Sequence, residues 1–139
     1  MNKYLNSVLI IVIAIGLMSC SSSGSGGGDS GPGAPSLSNL RFPAVAYRGE
    51  TCVVNIDYSD PEGDITMLYY TETMNDGTWS HTVSFTAEEL NISGTAGTLT
   101  FVKITNPYAT RGNHHFEIWV EDEGHHTSNR LSHDIDVKR

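Results

Sequence analysis

From residue 36 onward the chain reads as an antiparallel β-sandwich of about seven strands. Three observations predict this. The first is two-residue alternation: Cys52, Val54, Ile56 and Tyr58 fall on one side of a run whose other side carries Asn55 and Asp57. The second is that no stretch in this part of the chain sustains a helical period. The third is punctuation. The alternating runs are short and separated by turn formers such as Asp60-Pro61-Glu62-Gly63-Asp64 and Asn75-Asp76-Gly77. Strands with one apolar face each must bury it against another sheet, and two packed antiparallel sheets satisfy that need.

The N-terminal segment has a different character. Lys3 gives a short positive start, and Val8 to Met18 is an uncharged, almost wholly apolar run. The run has the length of a signal-peptide hydrophobic region and falls short of the roughly 18–20 residues that a spanning helix needs. It ends in Leu17-Met18-Ser19-Cys20. That tetrapeptide resembles the lipobox of bacterial lipoproteins. The resemblance implies that residues 1–19 are a signal peptide, helical before its removal, and that Cys20 is the lipidation site. The acyl chains, palmitate among them, would hold the protein in a membrane at about 0.8 kcal/mol per buried CH₂. By analogy with enteric sorting, Ser21 after the cysteine favours the outer membrane of the cell envelope. Residues 20–35 continue as SSSGSGGGDSGPGAP after the cysteine, a composition expected of a disordered, flexible linker.

Residues 36–139 are then one domain, large enough for its own core. A first strand is expected around Leu37 to Phe42, with Pro43 as a break. Cys52 to Tyr58 is the second, Ile65 to Thr73 the third, and Thr78 to Phe85 the fourth, entered through the Asn75-Asp76-Gly77 turn. Ala87 to Leu90 reads as a single helical turn. Thr98 to Ile104 is the fifth strand. Phe116, Ile118 and Val120 define the sixth, and Leu131, His133, Ile135 and Val137 the last. With Cys20 assigned to lipid, Cys52 has no disulfide partner and reads as a small buried hydrophobe.

Gly112-Asn113-His114-His115-Phe116-Glu117-Ile118-Trp119-Val120-Glu121-Asp122-Glu123-Gly124 resembles the penultimate strand of immunoglobulin-like domains of the PKD and fibronectin type III kinds. Ser59 to Ile65 resembles the turn before the third strand of such domains. The resemblance implies an immunoglobulin-like topology, with the loops after the second and sixth strands at the same end.

Without its signal the chain loses Lys3 from 8 basic residues and keeps all 16 acidic ones, for a formal charge of −9. That balance argues against nucleic-acid binding. The topology would gather Asp60, Glu62, Asp64, Glu121 and Asp122 at one end, with Glu123, His125 and His126 beside them. Clustered carboxylates suit a hard cation such as calcium, and the histidines would suit zinc. The Asp-Pro-Glu-Gly-Asp turn also stands on its own turn chemistry. Trp119 should point outward and share its face with Tyr69 or Tyr70, forming an aromatic surface that could stack on a sugar ring. No nucleophile elbow, phosphate loop or metalloprotease helix is present in the sequence. The expectation is a lipid-anchored, non-enzymatic module that binds an envelope protein or a glycan. The alternatives are a carbohydrate-binding domain and a calcium-dependent adhesion module.

Overall fold

The structure, a computed structural model, describes residues 31–139. The expected signal segment, Cys20 and most of the expected linker lie outside the described residues. Eight strands follow in order: β1 (Ser36–Arg41), β2 (Val45–Tyr47), β3 (Thr51–Ser59), β4 (Ile65–Met74), β5 (Ser80–Thr86), β6 (Ala96–Ile104), β7 (Gly112–Asp122) and β8 (Leu131–Lys138). They form an immunoglobulin-like β-sandwich. One sheet has the order β1-β3-β6 and the other β2-β8-β7-β4-β5.

Each strand is built from its alternation. Cys52, Val54, Ile56 and Tyr58 are all buried, while Asn55 and Asp57 are partly exposed. Leu99, Phe101 and Lys103 of the neighbouring β6 share their buried side, and Phe116, Ile118 and Val120 of β7 lie in the other sheet. The core has two clusters, and the partly buried Phe42 and Tyr70 pack against both. Val54, Ile56, Leu68, Leu99, Ile118 and Val120 fill its middle. Ala46, Cys52, Phe116, Ile135 and Val137 fill the end that leads to β2. Each Val, Leu, Ile or Phe among them contributes about 1.5–3 kcal/mol on burial. Cys52 is 3% exposed and sits in this second cluster as an apolar filler.

One strand is additional to the sequence expectation. The extra strand is β2, three residues long, pairing parallel with β8 through Val45–Asp136 and Tyr47–Lys138. It is too short to show a period. Ala87–Leu90 makes the expected single turn, with Leu90 N–H donating to the Thr86 carbonyl four residues back at 3.3 Å. Thr86 and Glu89 close it reciprocally: Thr86 N–H donates to Glu89 Oε2 at 2.7 Å, and Glu89 N–H donates to Thr86 Oγ1 at 3.2 Å.

Candidate functional site

The two acidic loops meet, and two of their carboxylates, Asp60 and Asp122, accept backbone N–H bonds. Asp60 is fully buried and accepts N–H bonds from Glu62, Asp64 and Ile65 at 3.2, 2.8 and 3.1 Å. Asp122, 1% exposed, accepts from His126 N–H at 2.8 Å and pairs with His126 Nδ1 at 3.0 Å. Glu123 N–H donates to the Asp64 carbonyl at 3.1 Å, which ties the loops together. His125, held in a left-handed conformation at φ 63°, bonds Glu121 Oε1 at 2.8 Å. That bond raises the His125 pKa above its ordinary value.

Asp64 stands differently. Its Oδ1 is buried and has no hydrogen-bond partner. Burial raises its pKa, and the nearby Asp60, Asp122 and Glu62 raise it further. The five carboxylates therefore share one end of the fold. Yet among the described residues no group of three or more His, Cys, Asp or Glu side chains is arranged to hold a metal ion. The backbone bonds hold Asp60 and Asp122 facing their own turns.

The aromatic surface splits in two. Tyr69 stands directly opposite Trp119 in the β4–β7 ladder and stacks on it, with centroids 5.4 Å apart and planes 14° apart. Arg130 places its guanidinium 4.0 Å from the Trp119 centroid. Trp119 is thus packed by cross-strand neighbours, an arrangement that stabilises a sheet face. Tyr70 lies on the other face of β4. It stacks on Phe101 at 5.7 Å and contacts Phe85 and Phe116, inside the sandwich. It does not join Tyr69 and Trp119, because adjacent residues of a strand point to opposite faces.

The feature that sequence reading missed lies between the sheets at the opposite end. β6 is an edge of one sheet and β5 an edge of the other. Where these edges part they leave a cavity of about 450 Å³. Glu72 of β4, Lys103 of β6 and His114 of β7 line it, and they are 8, 8 and 2% exposed. Glu72 Oε2 lies 3.2 Å from Lys103 Nζ, and Glu72 Oε1 lies 2.8 Å from His114 Nδ1. His114 Nε2 donates to the Thr110 carbonyl at 2.8 Å. Lys103 Nζ also sits 5.2 Å from the Phe116 ring centroid. Trp79 and Tyr108, 44 and 89% exposed, stand at the rim.

A sequence signal for this group did exist. Glu72 shares its parity with Leu68 and Tyr70, Lys103 with Leu99 and Phe101, and His114 with Phe116 and Ile118. Each is an ionisable group on the inward side of a strand, and such groups are rarely buried unless paired. Pairing three of them across three strands needs the topology, which alternation alone does not supply.

No protein-family model matches the chain, and no curated protein sequence matches it. Solved structures do. A Niemann-Pick type C2 protein from Japanese carpenter ant superposes with a TM-score of 0.56 at 6% identity, covering 76% of this chain and 93% of that one. The PKD domain of an M14-like peptidase from Thermoplasmatales archaeon SCGC AB-540-F20 gives 0.50 at 16% identity, covering 76% and 94%. Spo0M, a sporulation control protein from Bacillus subtilis, gives 0.52 at 12% identity, covering 77% of this chain and 50% of that one. At these identities the likeness concerns the fold, and it supports the immunoglobulin-like assignment.

Proposed function

We propose that this chain is a cell-envelope lipoprotein that displays a non-enzymatic binding module on a flexible tether. The observation that carries the reading is the order of parts. Leu17-Met18-Ser19-Cys20 is followed by a Gly/Ser-rich linker, and the first strand of a single sandwich begins at Ser36. Within that sandwich the ionisable groups form structural pairs. His126 is tied to Asp122, His125 to Glu121, His115 to Asp134 and His114 to Glu72. These are geometries that fix loops and strands. The surface suited to a ligand is the inter-sheet cavity with its aromatic rim. A volume of about 450 Å³ falls in the range of small-molecule sites.

A carbohydrate-binding reading is favoured by that rim. Trp79 and Tyr108 are exposed, whereas Trp119 is packed between Tyr69 and Arg130. The test of the anchor is fractionation of cells producing the full-length protein and its Cys20→Ser variant. The wild type should sediment with membranes and resist high salt, and the variant should be released from acylation and lose that partition. Equal release of both by salt would overturn the reading.

A further inference from the structure

The charge of the cavity departs from that of the whole chain. Outside its signal the chain carries a formal charge of −9, yet Glu72 is the one acidic side chain among the residues lining the cavity. The protons there can be counted from the hydrogen bonds. The Thr110 carbonyl can only accept, so His114 Nε2 carries a proton. A second proton lies between His114 Nδ1 and Glu72 Oε1, 2.8 Å apart. Wherever on that bond it resides, the Glu72–His114 pair is neutral overall. Lys103 therefore leaves one net positive charge in a site of which it is itself only 8% exposed.

The Lys103 ammonium has three N–H donors. Among the described residues its ion-pair partner is Glu72 Oε2, at 3.2 Å, and the Phe116 ring centroid lies 5.2 Å from Nζ. Donors remain for something in the cavity. The rim adds flat apolar surface from Trp79 and Tyr108 and a polar group from Asn106, whose Oδ1 accepts the Tyr108 N–H at 2.8 Å. A buried cation beneath exposed aromatic rings and an amide matches a ring that has apolar C–H faces, hydroxyls and one anionic group.

We propose that the cleft between the β5 and β6 edges binds a carboxylate-bearing sugar, with Lys103 holding the carboxylate and Trp79 and Tyr108 contacting the ring. The proposal rests on the binding-module reading and names the ligand class of its cavity. The ring stacks on an indole or phenol through its C–H face. The carboxylate supplies the negative charge that the site lacks, and a charge-assisted bond of this kind is the strong component of such a site. The ligand can be a free sugar acid or an acidic residue within a polysaccharide, because the recognised chemistry is shared.

The test uses full-length protein in a neutral detergent. Tryptophan fluorescence is followed while glucuronate, oligogalacturonate, glucose and a neutral glucose oligomer are added separately. A Trp119→Phe variant isolates the Trp79 signal. Saturable change with an acidic sugar and little with its neutral counterpart is the expected result. Lys103→Met, checked for folding by urea denaturation, should weaken binding by about tenfold or more, since a hydrogen bond to a charged group is lost. A response to the monomer places the ligand among free sugar acids, and a response to the oligomer alone places it in a polysaccharide. Equal binding by Lys103→Met, or no saturable response to any acidic sugar, would overturn the proposal. Binding of neutral sugars alone would overturn the charge assignment and leave the binding-module reading standing.

Discussion

Replacing Glu72 by Gln removes the one negative charge that holds Lys103 and His114 together. The geometry sets the scale. At an effective dielectric of about 20, opposite unit charges 3.2 Å apart attract by about 5 kcal/mol before desolvation is counted. Removing one partner of a buried pair costs about 3–5 kcal/mol, because the other charge stays buried without compensation. His114 can adapt by holding a single proton on Nε2 and accepting from the new amide, so the lower end, about 3 kcal/mol, is expected. For a domain of this size that lowers Tm by roughly 12–24 °C. Lys103→Met should behave differently. It removes the excess charge, keeps the bulk of the side chain and leaves the neutral Glu72–His114 pair, so stability should change by less than about 1.5 kcal/mol. The double variant should recover most of the Glu72→Gln loss, giving a coupling energy of about 1–3 kcal/mol. Urea denaturation with unchanged m-values measures all three. A loss below about 1 kcal/mol for Glu72→Gln, or equal losses for Glu72→Gln and Lys103→Met, would refute the charge accounting of this site.

Tyr58 donates its hydroxyl to the Ser93 carbonyl at 2.8 Å and accepts the Ser93 N–H at 3.3 Å, so Tyr58→Phe should cost about 1 kcal/mol in urea denaturation. Gly97→Ala would place a Cβ 3.0 Å from the Tyr58 hydroxyl and 3.1 Å from its ring; overpacking of a buried ring should cost about 1–3 kcal/mol in the same assay. Asp64 supplies one pH-dependent contribution. Its folded pKa is raised above 3.8, so the folded state binds the extra proton, and the contribution of this group to stability falls as pH rises through the window above 3.8. Asp64→Asn should therefore raise Tm at pH 7, with the gain shrinking toward pH 3; a lower Tm at pH 7 would contradict the repulsion described at the acidic end.

Much of this fold is legible from alternation. Cys52 to Tyr58 and Phe116 to Val120 bury the parity that their apolar residues mark, and Trp119 points away as its position requires. β2 is invisible at that level, because three residues cannot display a period and a parallel pairing with β8 is set by tertiary contacts. The candidate sites were less legible for a physical reason. Asp60 and Asp122 look like cation ligands when only residue type and loop position are known. Their oxygens turn out to be the acceptors that close their own turns. Lys103 and Glu72, 31 residues apart in sequence, look like ordinary strand charges until the sheets face each other. Trp79, in the hairpin beyond the Asn75-Asp76-Gly77 turn, becomes a rim residue because that turn carries it over the parted edge of the sandwich.

The proposed function places lipid on Cys20. The most direct measurement is mass spectrometry of the N-terminal peptide of protein extracted from cell envelopes. The account predicts a peptide that begins at Cys20 and carries the mass of a diacylglyceryl group, with or without a further acyl chain on its amine. A mature N-terminus at any other residue, or an unmodified Cys20, would contradict it.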